Sequence, residues 1–207
     1  MNFWDRIDAV AERWNVLRHP FYLRWSAGEL THEELALYAG QYRHAVEALA
    51  TATRKVADDE HAAEEEAHVA LWDGFAEAVG GKRAAPLSET AHCARAWSDG
   101  DRPALATLMA LYAIESAQPA ISETKRVGLV ERYGFSADRA TAYFDVHVER
   151  DVEHARAGRA AIEERRAADG GRPATESDDA LVSAAERVLS ANWRLLDGVD
   201  RVSGEAR

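Results

Sequence analysis

The chain has 207 residues, 47% of them hydrophobic and 29% charged, with a formal net charge of -11; this balance is typical of a globular domain and, without basic patches, argues against a nucleic-acid ligand. The single cysteine, Cys93, excludes an intrachain disulfide, and no apolar run approaches the roughly 18 residues that cross a bilayer. We therefore expect one domain over residues 1–207 in a soluble, cytoplasmic protein that acts on a small molecule and binds neither nucleic acid nor membrane.

Apolar residues recur at steps of three and four along almost the whole chain, and no alternating pattern of any length predicts a strand. The expected fold is therefore all-α. In chain order, helices are predicted over residues 3–17, 19–27, 31–57, 59–79 and 88–97, from Pro103 onward, over 137–167 and over 178–202.

Capping residues mark two of these boundaries. Thr31 and Glu34, three residues apart, form a predicted capping box, and Ser136 is the expected N-cap of the helix over 137–167. The stretch GGRPATESDD, residues 170–179, is the one segment with the composition of a linker.

A polar stripe runs along the segment YFDVHVERDVEHARAG, residues 143–158. His147, Asp151 and His154 follow one another at steps of four and three, which bring all three side chains to one helix face. Because a helix normally keeps apolar residues on its inner face, this stripe indicates a bound partner.

Two further helices supply residues of the same type. In EHAAEEEAHVALWDGF, Glu65 and His68 form a Glu-x-x-His pair. Glu115 stands alone among the apolar residues of LMALYAIESAQP, where Pro119 is expected to kink the helix and free backbone groups nearby.

Together these residues match the parts from which helical bundles build dinuclear iron or manganese sites. The six candidate ligands are Glu65, His68, Glu115, His147, Asp151 and His154. Three carboxylates and three imidazoles suffice for two metal ions with positions left open for O2 or substrate. Three carboxylates do not fully neutralise two divalent ions, so we expect one ion to bind more weakly.

Each element also has a simpler interpretation. The acidic run is typical of a solvated helix face, Glu115 can be a buried carboxylate paired with Lys125, and the stripe over 143–158 can be a hydrogen-bonded core network. The register within the acidic run stays open, because three other residues can reach the side of His68: Glu60, His61 and Glu64. Glu65 is preferred for its position beside His68, with His61 expected behind the ligands.

Four segments resemble a known family: HPFYLRWSAGELTHEELALYAGQYRHAV, EEEAHVALWDGFAEAVG, LYAIESAQPAISETKRVGL and YFDVHVERDVEHARAG. The chain resembles the haem-oxygenase-like diiron oxidases, and most closely the CADD-like p-aminobenzoate synthases, which are related to pyrroloquinoline-quinone synthase and to TenA thiaminases. The most specific feature is E-S-x-x-P-x-I-S-x-T-K-x-x-G-L, followed 32 residues after its Glu by H-x-x-x-D-x-x-H. The resemblance implies a bundle of about seven helices around a central cavity, usually dimeric.

The resemblance also implies roles for individual residues. It makes iron ligands of His68, Glu115, His147, Asp151 and His154, with Glu65 as the sixth. In those synthases a lysine and tyrosines of the protein itself take part, and one tyrosine is consumed as the source of the product ring; Tyr22, Tyr38 and Lys125 stand where those residues would stand. One position departs from the pattern, since the residue before Glu115 is Ile114, where the synthases have a tyrosine.

The expected function is that of a non-haem diiron oxidase or oxygenase that uses two Fe(II) ions, with Mn as an alternative at one position, and O2 as co-substrate. We expect its substrate to be a small amine, amino acid or carboxylate, one version being p-aminobenzoate formation from its own tyrosine. A homodimer and an external reductant are also expected. The alternatives are a cofactorless oxidase of the pyrroloquinoline-quinone synthase type and a non-catalytic helical protein that binds a small molecule.

Overall fold

Nine α-helices and one 3₁₀ turn form most of residues 1–168 and 176–205, which the computed structural model describes, and no strand occurs in these ranges. The helices are α1 (Phe3–Arg13), α2 (Pro20–Ala27), α3 (His32–Val56), α4 (Asp59–Ala78), α5 (Ser88–Trp97), α6 (Ala104–Glu115), α7 (Gln118–Glu131), α8 (Ala142–Ala167) and α9 (Asp178–Glu205). The all-α prediction is confirmed. The helices outnumber the expected seven or so, in part because one predicted helix is divided into α6 and α7.

Local hydrogen bonds set the boundary between α2 and α3. The Thr31 N–H donates to Glu34 Oε2 at 2.7 Å, and the Glu34 N–H donates to Thr31 Oγ1 at 3.2 Å, so the predicted capping box is confirmed. Gly28 ends α2 with a φ of 74°, a conformation that only glycine adopts without cost.

The first helix is shorter than predicted. α1 stops at Arg13 instead of residue 17, and a 3₁₀ turn over Val16–Arg18 follows it. The Asn15 side chain accepts a hydrogen bond from the Leu17 N–H at 3.1 Å, which favours this separate turn over continuation of the helix.

Pro119 divides the long helix that was predicted to start at Pro103. α6 ends at Glu115 and α7 begins at Gln118, with Pro119 in its first turn. Proline has no N–H to donate to the Glu115 carbonyl and its ring crowds that carbonyl. The prediction of a single kinked helix is therefore wrong, although the expected change of backbone beside Glu115 is confirmed.

The helix that carries the polar stripe starts later than predicted. α8 begins at Ala142, because the Asp138 carbonyl accepts hydrogen bonds from the N–H groups of Thr141 and Ala142 at 3.1 and 3.0 Å and forms a turn of its own. Ser136 is therefore not the N-cap. Most of the predicted linker falls on residues 169–175, which lie outside the described residues.

α6 lies at the centre of the bundle. It packs against α3, α8 and α9, and every residue from Leu105 to Glu115 is buried. By length and composition the segment Ala104–Glu131 could cross a membrane, but 72% of its apolar window is buried inside the fold. Its apolar character is therefore explained by its place in the core. The other helices complete this core: α4 and α7 pack against α8, and α1 and α5 pack against α9.

Candidate metal centre

The six predicted ligands lie together in the space between α4, α6 and α8. α4 contributes Glu65 and His68, the last residue of α6 is Glu115, and α8 contributes His147, Asp151 and His154. All are buried except His154, whose side chain is 13% exposed. The break before Pro119 places Glu115 at a helix end, where it faces both longer helices.

Glu65, His68 and His147 form the inner group of this cluster. One potential ligand atom from each lies within 4.8 Å of the other two. His68 Nδ1 lies 3.0 Å from Glu65 Oε1, and the ring centroids of His68 and His147 are 4.4 Å apart. His147 Nδ1 lies 2.6 Å from the Tyr143 carbonyl oxygen, which can only accept. The Nδ1 atom therefore carries the proton, and the Nε2 atom of His147 is left as a free ligand atom.

His61, Glu65 and His154 form an outer group with the same spacing limit of 4.8 Å between ligand atoms. The rings of His61 and His154 are stacked, with centroids 3.7 Å apart. His154 Nδ1 lies 3.3 Å from Asp151 Oδ1, and its Nε2 lies 3.2 Å from Glu64 Oε2. Asp151 thus adjoins the outer group, and Glu65 belongs to both groups.

The register of the acidic run is visible in the structure. Glu65 is fully buried beside His68, Glu64 is 23% exposed and reaches His154 and Arg150 from outside, and the Glu66 side chain is 68% exposed, 3.5 Å from Arg54. The preference for Glu65 over its neighbours therefore agrees with its burial. The suggested pairing of Glu115 with Lys125 is not seen, since Glu115 Oε1 lies 3.2 Å from His61 Nε2.

Several buried ligand-type atoms have no hydrogen-bond partner among the described residues. They are His61 Nε2, Glu65 Oε2, Glu115 Oε1, His147 Nε2 and Asp151 Oδ2. Folded proteins rarely leave even one such atom unpaired, because each costs about 1–3 kcal/mol. Five of them lie in this one buried cluster, two of them as the His61–Glu115 ion pair. All are nitrogen or carboxylate oxygen, a donor set that fits iron or a similar divalent metal.

Burial also changes the protonation of these groups. It raises the pKa of Asp151 to about 7, a rise that the hydrogen bond with His154 opposes and the carboxylates of Glu65 and Glu115 reinforce. Burial lowers the pKa of His147 to about 4, which keeps its imidazole neutral. Neutral imidazole is the form that binds a metal, so the protein environment prepares His147 for that role.

The three predicted catalytic residues lie in a separate aromatic cage. Lys125 is fully buried, and its Nζ has no hydrogen-bond partner within the described ranges. It lies 4.7–5.6 Å from the centroids of five rings, those of Tyr22, Tyr38, Tyr42, Trp72 and Phe144. Burial lowers the pKa of Lys125 to about 7. Lys125 is therefore a residue of the core.

Tyr22 and Tyr38 are paired inside this cage. Their hydroxyl oxygens are 2.9 Å apart, and burial raises the pKa of each phenol well above its usual value. The cage contacts the predicted metal ligands through Tyr143, whose ring stacks on His147 at 4.0 Å and meets Trp72 at 4.8 Å. The spacing of four between Tyr143 and His147 predicts that they share a helix face, but the contact of Tyr143 with the cage was not predicted.

A cavity of about 300 Å³ opens beside the ligand cluster. His61, Glu115 and His154 lie on its inner wall, with Tyr112 and Gly158 beside them and Arg150 among the polar residues around it. Glu64 accepts a hydrogen bond from Arg150 next to His154. A small molecule can therefore reach the outer group, whereas the inner group lies deeper in the bundle.

Fold and site together define a haem-oxygenase-like helical protein with a metal-type donor cluster in its core. Residues 24–193 match the family model described as iron-containing redox enzyme, and the chain belongs to that family of enzymes. Two solved structures share the fold. One is a domain of unknown function with a haem-oxygenase-like fold from Shewanella denitrificans, with a TM-score of 0.75 and 18% identity, covering 99% of this chain and 94% of that one. The other is a TenA homologue from Pseudomonas syringae pv. tomato, with a TM-score of 0.74 and 16% identity, covering 96% of this chain and 91% of that one.

Curated relatives are more similar in sequence. The 4-aminobenzoate synthase of Chlamydia muridarum is 34% identical over 220 residues, which cover 95% of this chain and 89% of that protein. The 4-aminobenzoate synthase of Nitrosomonas europaea is 31% identical over 230 residues, which cover 95% of this chain and 90% of that protein. That of Chlamydia trachomatis serovar D is 36% identical over 186 residues, 79% of this chain and 80% of that protein. The predicted resemblance to p-aminobenzoate synthases is therefore confirmed.

Proposed function

We propose that this protein is a non-haem, O2-dependent oxidase with a dinuclear iron centre, and that it forms 4-aminobenzoate. The proposed ligands are Glu65, His68, Glu115, His147, Asp151 and His154. The observation that supports the metal most directly is the set of unpaired buried donor atoms between α4, α6 and α8. The relatives named 4-aminobenzoate synthase support the product.

The fixed side chains of this site would orient the metal ligands, admit the reactants and exclude water. When bound, two ferrous ions supply electrons and open coordination positions for O2. The Tyr143 carbonyl fixes the tautomer of His147, and the cavity beside His61 and His154 admits O2 and an external reductant. The surrounding apolar core excludes bulk water from the inner group.

The aromatic cage supports a role for the chain's own side chains in forming the product. A lysine with a pKa of about 7 has a large fraction of free amine at neutral pH, and Lys125 Nζ lies 5.5 and 5.4 Å from the ring centroids of Tyr22 and Tyr38. An amine and two phenol rings thus share one dry compartment. Ile114, which replaces a tyrosine of the synthases, lines a different cavity together with Gln118 and Asn192.

The test is anaerobic loading with ferrous ion, elemental analysis, and then mixing with O2 and a reductant. We expect about two irons per chain, a transient visible absorbance, 4-aminobenzoate in the supernatant, and a loss of mass in a peptide that contains Tyr22 or Tyr38. A folded chain that binds no iron above background would overturn the proposal. Iron binding with product but an unchanged chain mass would exclude the protein's own tyrosine as the source of the ring.

The two alternatives from the sequence predict different results in the same assay. A cofactorless oxidase keeps its activity after a chelator has removed all metal, and a non-catalytic binding protein consumes no O2 in either state. Neither alternative explains why five donor atoms are left unpaired in the core. We therefore expect the chelator to abolish O2 consumption and ferrous ion to restore it.

A further inference from the structure

The ligand-type residues of α4 and α8 follow the same sequence pattern. His61, Glu65 and His68 stand at steps of four and three, as do His147, Asp151 and His154. The pattern is therefore His-x-x-x-acid-x-x-His on both helices, which places three side chains on one face of each. Five of these six residues were expected to bind metal, whereas His61 was expected to lie behind them.

The two helices pack side by side in opposite directions, so the two patterns meet in reverse order. His61 of α4 stacks on His154 of α8 at 3.7 Å, and His68 lies 4.4 Å from His147. The first histidine of each helix is therefore opposite the last histidine of the other. This arrangement produces two similar positions, each flanked by one imidazole from α4 and one from α8.

His61 is directed at its neighbours as a ligand would be. Its Nε2 lies 3.2 Å from Glu115 Oε1, within ion-pair distance, and neither atom has a second partner in the described part of the chain. His61, Glu65 and His154 each offer one atom within 4.8 Å of the others. A buried imidazole nitrogen and a carboxylate oxygen this close together are also the arrangement of two ligands of one metal ion.

We propose that His61 is a metal ligand, so that the outer metal position is bound by His61, His154 and Glu115, with Glu65 between it and the inner position. This inference rests on the dinuclear centre proposed above. The centre would then have four imidazoles and three carboxylates, with two imidazoles at each position.

The test separates ligation from ring stacking. His61→Phe keeps an aromatic ring against His154 but removes the donor atom, and His61→Ala removes both. His92→Phe, at an exposed histidine of α5, is the matched control. Each chain is loaded anaerobically with ⁵⁷Fe(II), freed of unbound metal, and measured by elemental analysis, Mössbauer spectroscopy and circular dichroism.

We expect about two irons per chain in the wild type and His92→Phe, and about one in both His61 variants, with one ferrous Mössbauer signal missing. Because His61 lines the open cavity, free imidazole should restore the second iron to His61→Ala. Two irons in His61→Phe would overturn the inference and leave the dinuclear centre standing. A metal loss in His61→Ala that imidazole does not reverse would assign His61 a packing role and also overturn it, and a wild-type chain without iron would overturn both proposals.

Discussion

The cluster of predicted metal ligands and the cage around Lys125 are neighbouring buried regions with opposite effects on a positive charge. The cluster combines carboxylates and imidazoles, and leaves donor atoms unpaired as a cation would require. The cage surrounds one amine with five aromatic rings and offers it no carboxylate within hydrogen-bond reach in the described residues. The first arrangement favours binding of a cation, whereas the second favours loss of a proton.

The regions also differ in packing. The outer side of the cluster opens into the cavity lined by Tyr112 and Gly158. The cage is fully closed around Lys125. Beside it, where Trp25 packs on Tyr38, a Cβ atom added to Gly128 would lie 2.5 Å from Trp25 Nε1. The part proposed to meet O2 therefore has room, and the part that holds the free amine is tightly closed.

Among the changes that test the difference between the cluster and the cage, replacing Glu65 with glutamine should have the largest effect. The change keeps the side-chain size but removes the negative charge that both ligand groups share. Loss of a mere supporting group costs 10–100-fold in metal affinity, so we expect a loss of more than about 100-fold. Chelator competition with Fe(II) or Co(II) measures it, with Glu66→Gln as the exposed control; equal affinity in the two variants would contradict a shared role for Glu65.

Lys125→Met should stabilise the metal-free protein in a pH-dependent way. The pKa of Lys125 is about 7 in the folded chain and 10.5 ordinarily, so between these values the unfolded chain binds a proton that the folded chain does not. Stability therefore rises with pH across this window, and below pH 7 the buried lysine costs up to about 5 kcal/mol.

Urea unfolding with chelator present, at pH 6 and pH 9, tests this expectation. Lys125→Met should raise the free energy of unfolding most at pH 6, by several kcal/mol, and its advantage should shrink as the pH approaches 10.5. Lys82→Met, at an exposed lysine, should show no such dependence. An equal gain at both pH values would mean that the cage keeps Lys125 charged.

A matched pair of glycine substitutions should separate the closed region from the open one. Gly128→Ala should cost about 1–3 kcal/mol, because the added carbon collides with Trp25. Gly158→Ala should gain about 0.5–1 kcal/mol, because its Cβ meets Tyr112 at an ordinary 3.8 Å and alanine is the better helix former. Thermal and urea unfolding measure the change in stability of both variants. Changes of the same sign would show that the two regions do not differ in packing.

A similarly small effect is expected for the tyrosine pair. Tyr22→Phe or Tyr38→Phe alone should cost about 1 kcal/mol, because each leaves the other hydroxyl buried without its 2.9 Å partner. The double variant should cost no more than either single one, since both polar groups are then absent. A double-mutant cycle in urea gives the coupling, and iron content should stay at the wild-type value throughout. Additive losses would show that the hydroxyls have other partners.

Much of the fold was predictable because its causes are local. The Thr31–Glu34 capping box and the effect of Pro119 on the backbone at Glu115 depend on residues within four positions of each other. The start of α8 was missed because the Asp138 carbonyl forms a competing turn, which helix periodicity does not reveal.

The site was predictable helix by helix but not as an assembly. The pairs Glu65–His68 and Asp151–His154 follow from spacing, yet the closeness of His61 to His154 arises only when α4 and α8 pack in opposite directions. The matching patterns on the two helices were a usable signal for His61. The burial of Lys125 had no such signal, because its five rings come from α2, α3, α4 and α8.

The central place of α6 has a consequence for how the chain reaches its folded state. The helix is apolar on all sides, and α8 and α9, which cover it, are synthesised after it. Until those helices emerge from the ribosome, the nascent chain exposes a hydrophobic surface that favours chaperone binding or aggregation. Because α9 also packs on α1 and α5, it must dock on segments that are synthesised long before it. Chains that stop before Asp178 should therefore be degraded or aggregate instead of accumulating as partly folded bundles.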